Sequence, residues 1–182
     1  MPTRYGRSPW VDQFPKSRIP IYPRHRGPLS IDVAIVGGGL TGCATAYAFA
    51  AAGVKVALFE AGHLGHASSA SSTGWMSEDP GLSFIDVEQR FGLHATRHVW
   101  QAWRRAALDF TALIKRLDIK CHLERRGSLL MAVTPEEVSR LRREQTARKK
   151  AGLDASLVTT KAIAEESAAN ATVALRGRDG AT

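Results

Sequence analysis

The stretch Ile31–Glu60, IDVAIVGGGLTGCATAYAFAAAGVKVALFE, decides how the rest of this chain is read. It opens on a short apolar run, Ile31–Val36, with the length and β-branched content of a buried strand. Gly37-Gly38-Gly39-Leu40-Thr41-Gly42 follows directly, in the spacing G-x-G-x-x-G. An alanine-rich helix is expected from about Gly39 to Ala52, with Gly53 placed for a left-handed C-cap. A second apolar strand, Val54–Phe59, ends on Glu60. A glycine string alone says little, but strand, glycines, helix, strand and terminal acid in this order are what one mechanism demands. Gly37 turns the chain sharply off the strand, Gly39 lets a pyrophosphate approach the backbone, and Gly42 lets the first helical turn pack against the strand. The helix N-terminus offers N–H groups and a positive dipole end to the diphosphate. Glu60, 18 residues past Gly42, stands where an acid accepts hydrogen bonds from ribose hydroxyls. A carboxylate there disfavours a 2′-phosphate, which argues against NADP. The unit is built to hold the adenosine diphosphate end of a dinucleotide.

Working outward, the mostly apolar span Val33–Phe59, with Gly38-x-x-x-Gly42 inside it, also imitates a membrane-dimer motif. Gly37-Gly38-Gly39, Gly53 and Lys55 cut it into pieces too short to span a bilayer, so it reads as soluble. The first thirty residues hold six of the eight prolines and should form an extended arm. Trp10, Phe14, Ile19, Ile21 and Tyr22 suggest that this arm lies along a surface. No apolar h-region of a secretory signal follows its basic start. The formal charge of +8 gathers in two places, on the arm (Arg4, Arg7, Lys16, Arg18, Arg24, Arg26) and on one helix (Arg140, Arg142, Arg143, Arg148, Lys149, Lys150). Neither stretch carries an RRM, KH or zinc-finger pattern, so both are expected to be solvated basic surface, with no nucleic-acid partner. Cys43 and Cys121 follow no disulfide or zinc spacing and read as free thiols of a reducing, cytoplasmic compartment.

Toward the C-terminus, residues 61–81 are rich in Gly, Ser and Ala without period, the signature of a functional or mobile segment. A long helix is expected over 84–117, with Val99, Trp103, Ala106, Phe110, Leu113 and Leu117 on one face. Gly127–Val133 reads as a strand. Thr134-Pro135-Glu136-Glu137 opens a helix, with threonine as N-cap, proline at the first position and glutamate completing a capping box; the helix ends at Gly152. A short strand (156–159), a helix (160–168) and a polar end (176–182) complete the chain. His94 and His98 share a helix face but lack the glutamate of H-E-x-x-H and a third ligand, so no metal is expected. His63 and His66 fall in the loop, Trp75, Trp100 and Trp103 read as packing residues, and Cys43 as a small buried thiol. No residue emerges as a catalytic base.

The chain resembles the FAD-dependent oxidoreductases of the D-amino acid oxidase type, which include glycine oxidase, sarcosine oxidase and the γ-glutamylputrescine oxidoreductases. The resemblance rests on the fingerprint DVAIVGGGLTGCATAYAFAAAGVKVALFEAG, on Gly65-His66-Ala67-Ser68-Ser69, on RGSLLMAVTPEE, and on KKAGLDASLVTTKAIAEE. It implies that Gly37, Gly39, Leu40, Thr41 and Gly42 contact the FAD diphosphate, and that Glu60 holds the adenosine ribose with Ala61 beside it. Ser68 and Ser69 would lie near the pyrophosphate, and Thr73-Gly74 toward the flavin. Where many members carry Arg-Asn after the A-S step, this chain has Ala70-Ser71-Ser72-Thr73.

The expected fold is α/β: a Rossmann-type β-α-β unit, followed by the beginning of an α+β substrate domain, incomplete as it stands. The expected divisions are a Pro-rich arm (1–30), the FAD-binding unit (31–83), a helical segment (84–120) and the start of the substrate domain (121–182). Two parallel strands make a thin sheet, and only GSLLMAV could be recruited as a third. The family's members are about twice this length, so the chain reads as an N-terminal piece or a truncated reading frame. It would need a C-terminal half or a partner chain to complete the flavin site. The implied parent reaction is oxidation of the C–N bond of a small amine or amino acid, by hydride transfer to the flavin. The alternatives are a non-catalytic nucleotide-binding fragment or pseudoenzyme, and an NAD-dependent dehydrogenase. The serine-rich loop after Glu60 favours FAD, since an NAD-binding half moves promptly to a helix and a third strand.

Overall fold

The computed structural model describes Gly6 and residues 8–182, so Pro2, Arg4 and Arg7 of the basic arm lie outside the described residues. The chain divides into two compact units between Thr73 and Gly74.

The first unit opens not on an extended arm but on two short helical turns, α1 (Pro9–Gln13) and a 3-10 turn at Lys16–Arg18. The prolines are the reason: Pro9 takes the first helical position and Pro15 caps the 3-10 turn, places where no backbone N–H is needed. Strand β1 (Val33–Val36), helix α2 (Leu40–Ala51) and strand β2 (Val56–Phe59) follow. The strands pair in parallel, Val33 opposite Val56 and Val36 opposite Phe59, which requires the crossover that α2 provides. Gly53, at φ +78°, reverses the chain after α2, and its N–H donates to the Ala50 carbonyl at 3.0 Å. Helix α2 is apolar on every side (LTGCATAYAFAA), yet none of its residues is buried. Val36 is 88% exposed. A helix without a polar face is one suited to being covered.

The second unit begins by 74–83 and contains α3 (Phe84–Arg116), β3 (Ser128–Ala132), α4 (Pro135–Lys150), β4 (Ser156–Thr159), α5 (Thr160–Glu166) and β5 (Val173–Gly177). Its antiparallel sheet runs β3-β5-β4, with Leu130 opposite Leu175 and Val158 opposite Ala174. GSLLMAV therefore pairs within this sheet and adds no strand to β1-β2. The central strand, β5, lies partly in what the sequence presents as a polar end; Val173-Ala174-Leu175 is too short an apolar run to stand out before Arg176. Val173 and Leu175 pack with Ala132, Leu141 and Ala155, while Ala174 packs with Val158, Ile163 and Ala171. The period of two along β5 thus feeds two cores.

Two further expectations are corrected. Gly92, at φ +80°, kinks α3. Of the six-residue stripe on α3, only Phe110 and Leu113 are half-buried, and the closed side carries Thr96, Trp100 and Thr111. The two threonines tolerate burial because their hydroxyls donate to the Gly92 and Ala107 carbonyls one turn back. Arg148 is not solvated surface. It is buried, its guanidinium donates to Glu144 at 2.9 Å and also pairs with Asp79, and it lies over the Trp100 ring. Glu144 in turn accepts the Phe84 N–H at 2.7 Å, tying α4 to the start of α3.

Candidate functional site

The glycine loop is shaped by what a side chain would hit. Gly37 sits at φ +103°, a left-handed conformation that side chains rarely adopt. A Cβ on Gly42 would collide with the Gly37 carbonyl, so this glycine lets the first turn of α2 close onto the loop. A Cβ on Gly38 would strike Leu64, and one on Gly39 would stand 3.1 Å from Ser69 Oγ. The glycines thus clear space for the loop after Glu60 to fold back over them, a closeness that the glycine spacing alone does not reveal.

At the head of α2, the Leu40 N–H donates to Ser69 Oγ at 2.8 Å and the Cys43 N–H to the Gly39 carbonyl at 2.9 Å. The N–H groups of Thr41 and Gly42, between them, have no intrahelical acceptor. Ser68 and Ser69 belong to a 3-10 turn, Ser68–Ser71, and Ser69 is the one brought to the helix terminus. Glu60 leaves the end of β2 and accepts the Gly38 N–H at 2.7 Å and the Gly62 N–H at 2.8 Å. Those donors, Gly62 first, hold its carboxyl below the ordinary glutamate range, so it is ionised at neutral pH. Ala61 is exposed beside it. These contacts bring Glu60 and Ser69 to the loop Gly37–Gly42 within a single unit, with Ala61 and Ser68 as their chain neighbours. Cys43 is exposed rather than buried, because nothing covers the outer side of α2; its thiol lies 3.6 Å from the Gly38 carbonyl.

The edge formed by this loop and Glu60 fits a dinucleotide on its own geometry. Glycine bares the backbone, the Thr41 and Gly42 N–H groups have no intrahelical acceptor, Ser69 brings a hydroxyl to the helix terminus, and Glu60 adds an ionised carboxylate at the end of β2. A larger cavity of about 1100 Å³ lies in the second unit, lined by Trp100, Arg104, Met131, Leu141, Glu144 and Leu175 among others. Among its charged groups, Arg104 pairs with Asp179 at 2.6 Å and Arg148 with Glu144, while the buried Glu78 carboxylate has no hydrogen-bond partner among the described residues, an acidic feature unsuited to a diphosphate. Among the described residues, no helix is long and apolar enough to cross a membrane.

A β-α-β unit with this edge defines a dinucleotide-binding protein of the Rossmann class. Residues 32–182 match the family model described as FAD dependent oxidoreductase, and the chain belongs to that family, whose cofactor is FAD. It is 26% identical over 117 residues to gamma-glutamylputrescine oxidoreductase of Escherichia coli (strain K12), covering 64% of this chain and 27% of that protein. It is 25% identical over 140 residues to YhfW of Bacillus subtilis (strain 168), provisionally named a Rieske 2Fe-2S iron-sulfur protein, covering 77% of this chain and 28% of that one. The crystal structure of glycine oxidase from Geobacillus kaustophilus superposes with a TM-score of 0.60 at 25% identity, covering 84% of this chain and 40% of that one. The chain therefore spans little more than a quarter of the length of the curated relatives it matches.

Proposed function

We propose that this chain is the FAD-binding part of an oxidoreductase that oxidises the C–N bond of an amine or amino acid. The observation that carries the reading is the Glu60–Gly38 bond beside the uncapped amides of α2, in a chain of the FAD dependent oxidoreductase family. Gly37, Gly39, Leu40, Thr41 and Gly42 would contact the diphosphate, with the Thr41 and Gly42 N–H groups as its donors and Ser68 and Ser69 alongside. Glu60 would orient the adenosine ribose, with Ala61 leaving room. Bound FAD supplies the electron acceptor that protein side chains lack. This chain's contribution is binding and orientation, and none of its residues is assigned proton transfer.

Residues 31–83 are read as the FAD-binding unit, 84–120 as a helical segment and 121–182 as the start of the substrate domain. The substrate is read as a small amine or amino acid, and the partner as a further polypeptide segment that covers α2 and completes the flavin site. The uncovered apolar surface of α2 and the two-strand sheet support that partner. Two free cysteines support a cytoplasmic location.

The test is a visible spectrum of the purified chain after incubation with FAD and gel filtration. Retained flavin absorbance with no measurable turnover of amines is the expected result. Absence of a flavin band alongside measurable NADH binding would replace FAD by NAD in this reading.

A further inference from the structure

The loop from Glu60 to Ser72 carries half of the cradle, yet little of it is regular structure. Its bonds back to the glycine loop are few: Glu60 to Gly38, the Gly65 N–H to the Gly38 carbonyl at 2.9 Å, and the Leu40 N–H to Ser69. Each is worth about 1 kcal/mol net. The segment before β1 adds two more, one at each end of the loop. Trp10 of α1 donates its indole N–H to the Ser72 carbonyl at 2.7 Å, just past the Ser68–Ser71 turn. The His25 ring packs edge-on against Phe59, 5.7 Å between centroids, just before Glu60. Prolines between these two residues (Pro15, Pro20, Pro23) stiffen the connection. Trp10 is half exposed, so burial alone does not hold it there; a directed bond does.

We propose that the arm braces the cofactor loop from both ends and that Trp10 is a positioning residue for the serine turn facing the diphosphate. This rests on the FAD reading above for its functional consequence, but the brace exists without ligand. The diphosphate side of the site depends on Trp10 through Ser72 and the Ser68–Ser71 turn. The ribose side, held by Glu60 just past the end of β2, does not.

The experiment compares the full chain with Trp10→Phe, which keeps a ring and loses the N–H, and with a chain lacking residues 1–29. Amide hydrogen exchange without ligand reads the brace directly. Exchange at residues 68–73 and at Leu40 should quicken several-fold in Trp10→Phe and further in the deletion, while β3-β5-β4 stays unchanged. Titration with FAD and, separately, with adenosine reads the consequence. FAD affinity should fall about threefold to tenfold in Trp10→Phe, with adenosine affinity unmoved, a split that general loosening would not give. Unchanged exchange at 68–73 and Leu40 overturns the brace, whatever the ligand results. Equal losses for FAD and adenosine overturn the positioning role. Wild-type chain that takes up no FAD, yet shows the exchange difference, sinks the FAD reading and leaves the brace standing.

Discussion

The two units of this chain use apolar residues in opposite ways. In the second, Ile163 and Phe84 are fully buried, three antiparallel strands share two cores, and α4 is tied to α3 by the Arg148–Glu144 pair. In the first, a mostly apolar helix has no fully buried residue and Val36 stands in the open at the end of the two-strand sheet. Hydrophobicity alone does not separate them; coverage does. The second unit has partners for its apolar faces within its own hundred-odd residues, whereas the first devotes its order to a polar edge of glycines, amides and one carboxylate.

The contrast can be broken or sharpened by substitution. The largest effect is expected at Arg148→Ala, which strands the Glu144 carboxylate and should cost about 3–5 kcal/mol. Urea unfolding followed by tryptophan fluorescence measures it, since Arg148 lies over the Trp100 ring. A loss below about 1 kcal/mol would mean that the pair does not hold α4 to α3. Gly42→Ala forces a methyl into the Gly37 carbonyl and should cost about 1–3 kcal/mol in the first unit. FAD binding should vanish with it while the second unit's transition stays put. Thr134→Ala removes the α4 cap and should cost about 1 kcal/mol.

The same cap has a pH signature. N–H donors from Thr134 and Val133 hold the Glu137 carboxyl below the ordinary glutamate range. Its ionised form is therefore favoured by folding, and its contribution, present at neutral pH, is lost as pH falls through the lowered value. Glu137→Gln should flatten this part of the acid limb in a pH series of melting temperatures. The smallest effect is expected at Val36→Thr on β1, within about 0.5 kcal/mol, because that side chain is 88% exposed. A loss as large as that at Arg148 would show that the first unit's apolar surface is covered in solution and would erase the difference between the units.

Much of the β-α-β unit was legible from residues 31–60, because each of its parts has a local signature. G-x-G-x-x-G follows a strand, Gly53 ends a helix, and Glu60 ends the next strand. The capping box at Thr134–Glu137 was equally readable. What escaped was set by contacts distant in sequence. The burial of Arg148 depends on Asp79, 69 residues away. The central place of β5 depends on pairing with strands on both sides, which a three-residue apolar run cannot announce. The turns of the arm came from proline acting as a helix starter rather than only as a breaker. Trp10's bond to Ser72 spans 62 residues and has no local signal at all.

The central claim is that the edge formed by Gly37–Gly42 and Glu60 is the cofactor cradle. Chemical-shift mapping of the isotope-labelled chain during FAD titration tests it most directly. Saturable shifts should concentrate in the amides of Gly37–Cys43 and in residues 60–69, with β3-β5-β4 silent. Shifts confined to the second unit, around Trp100 and Arg104, or absent at saturating FAD, would contradict it.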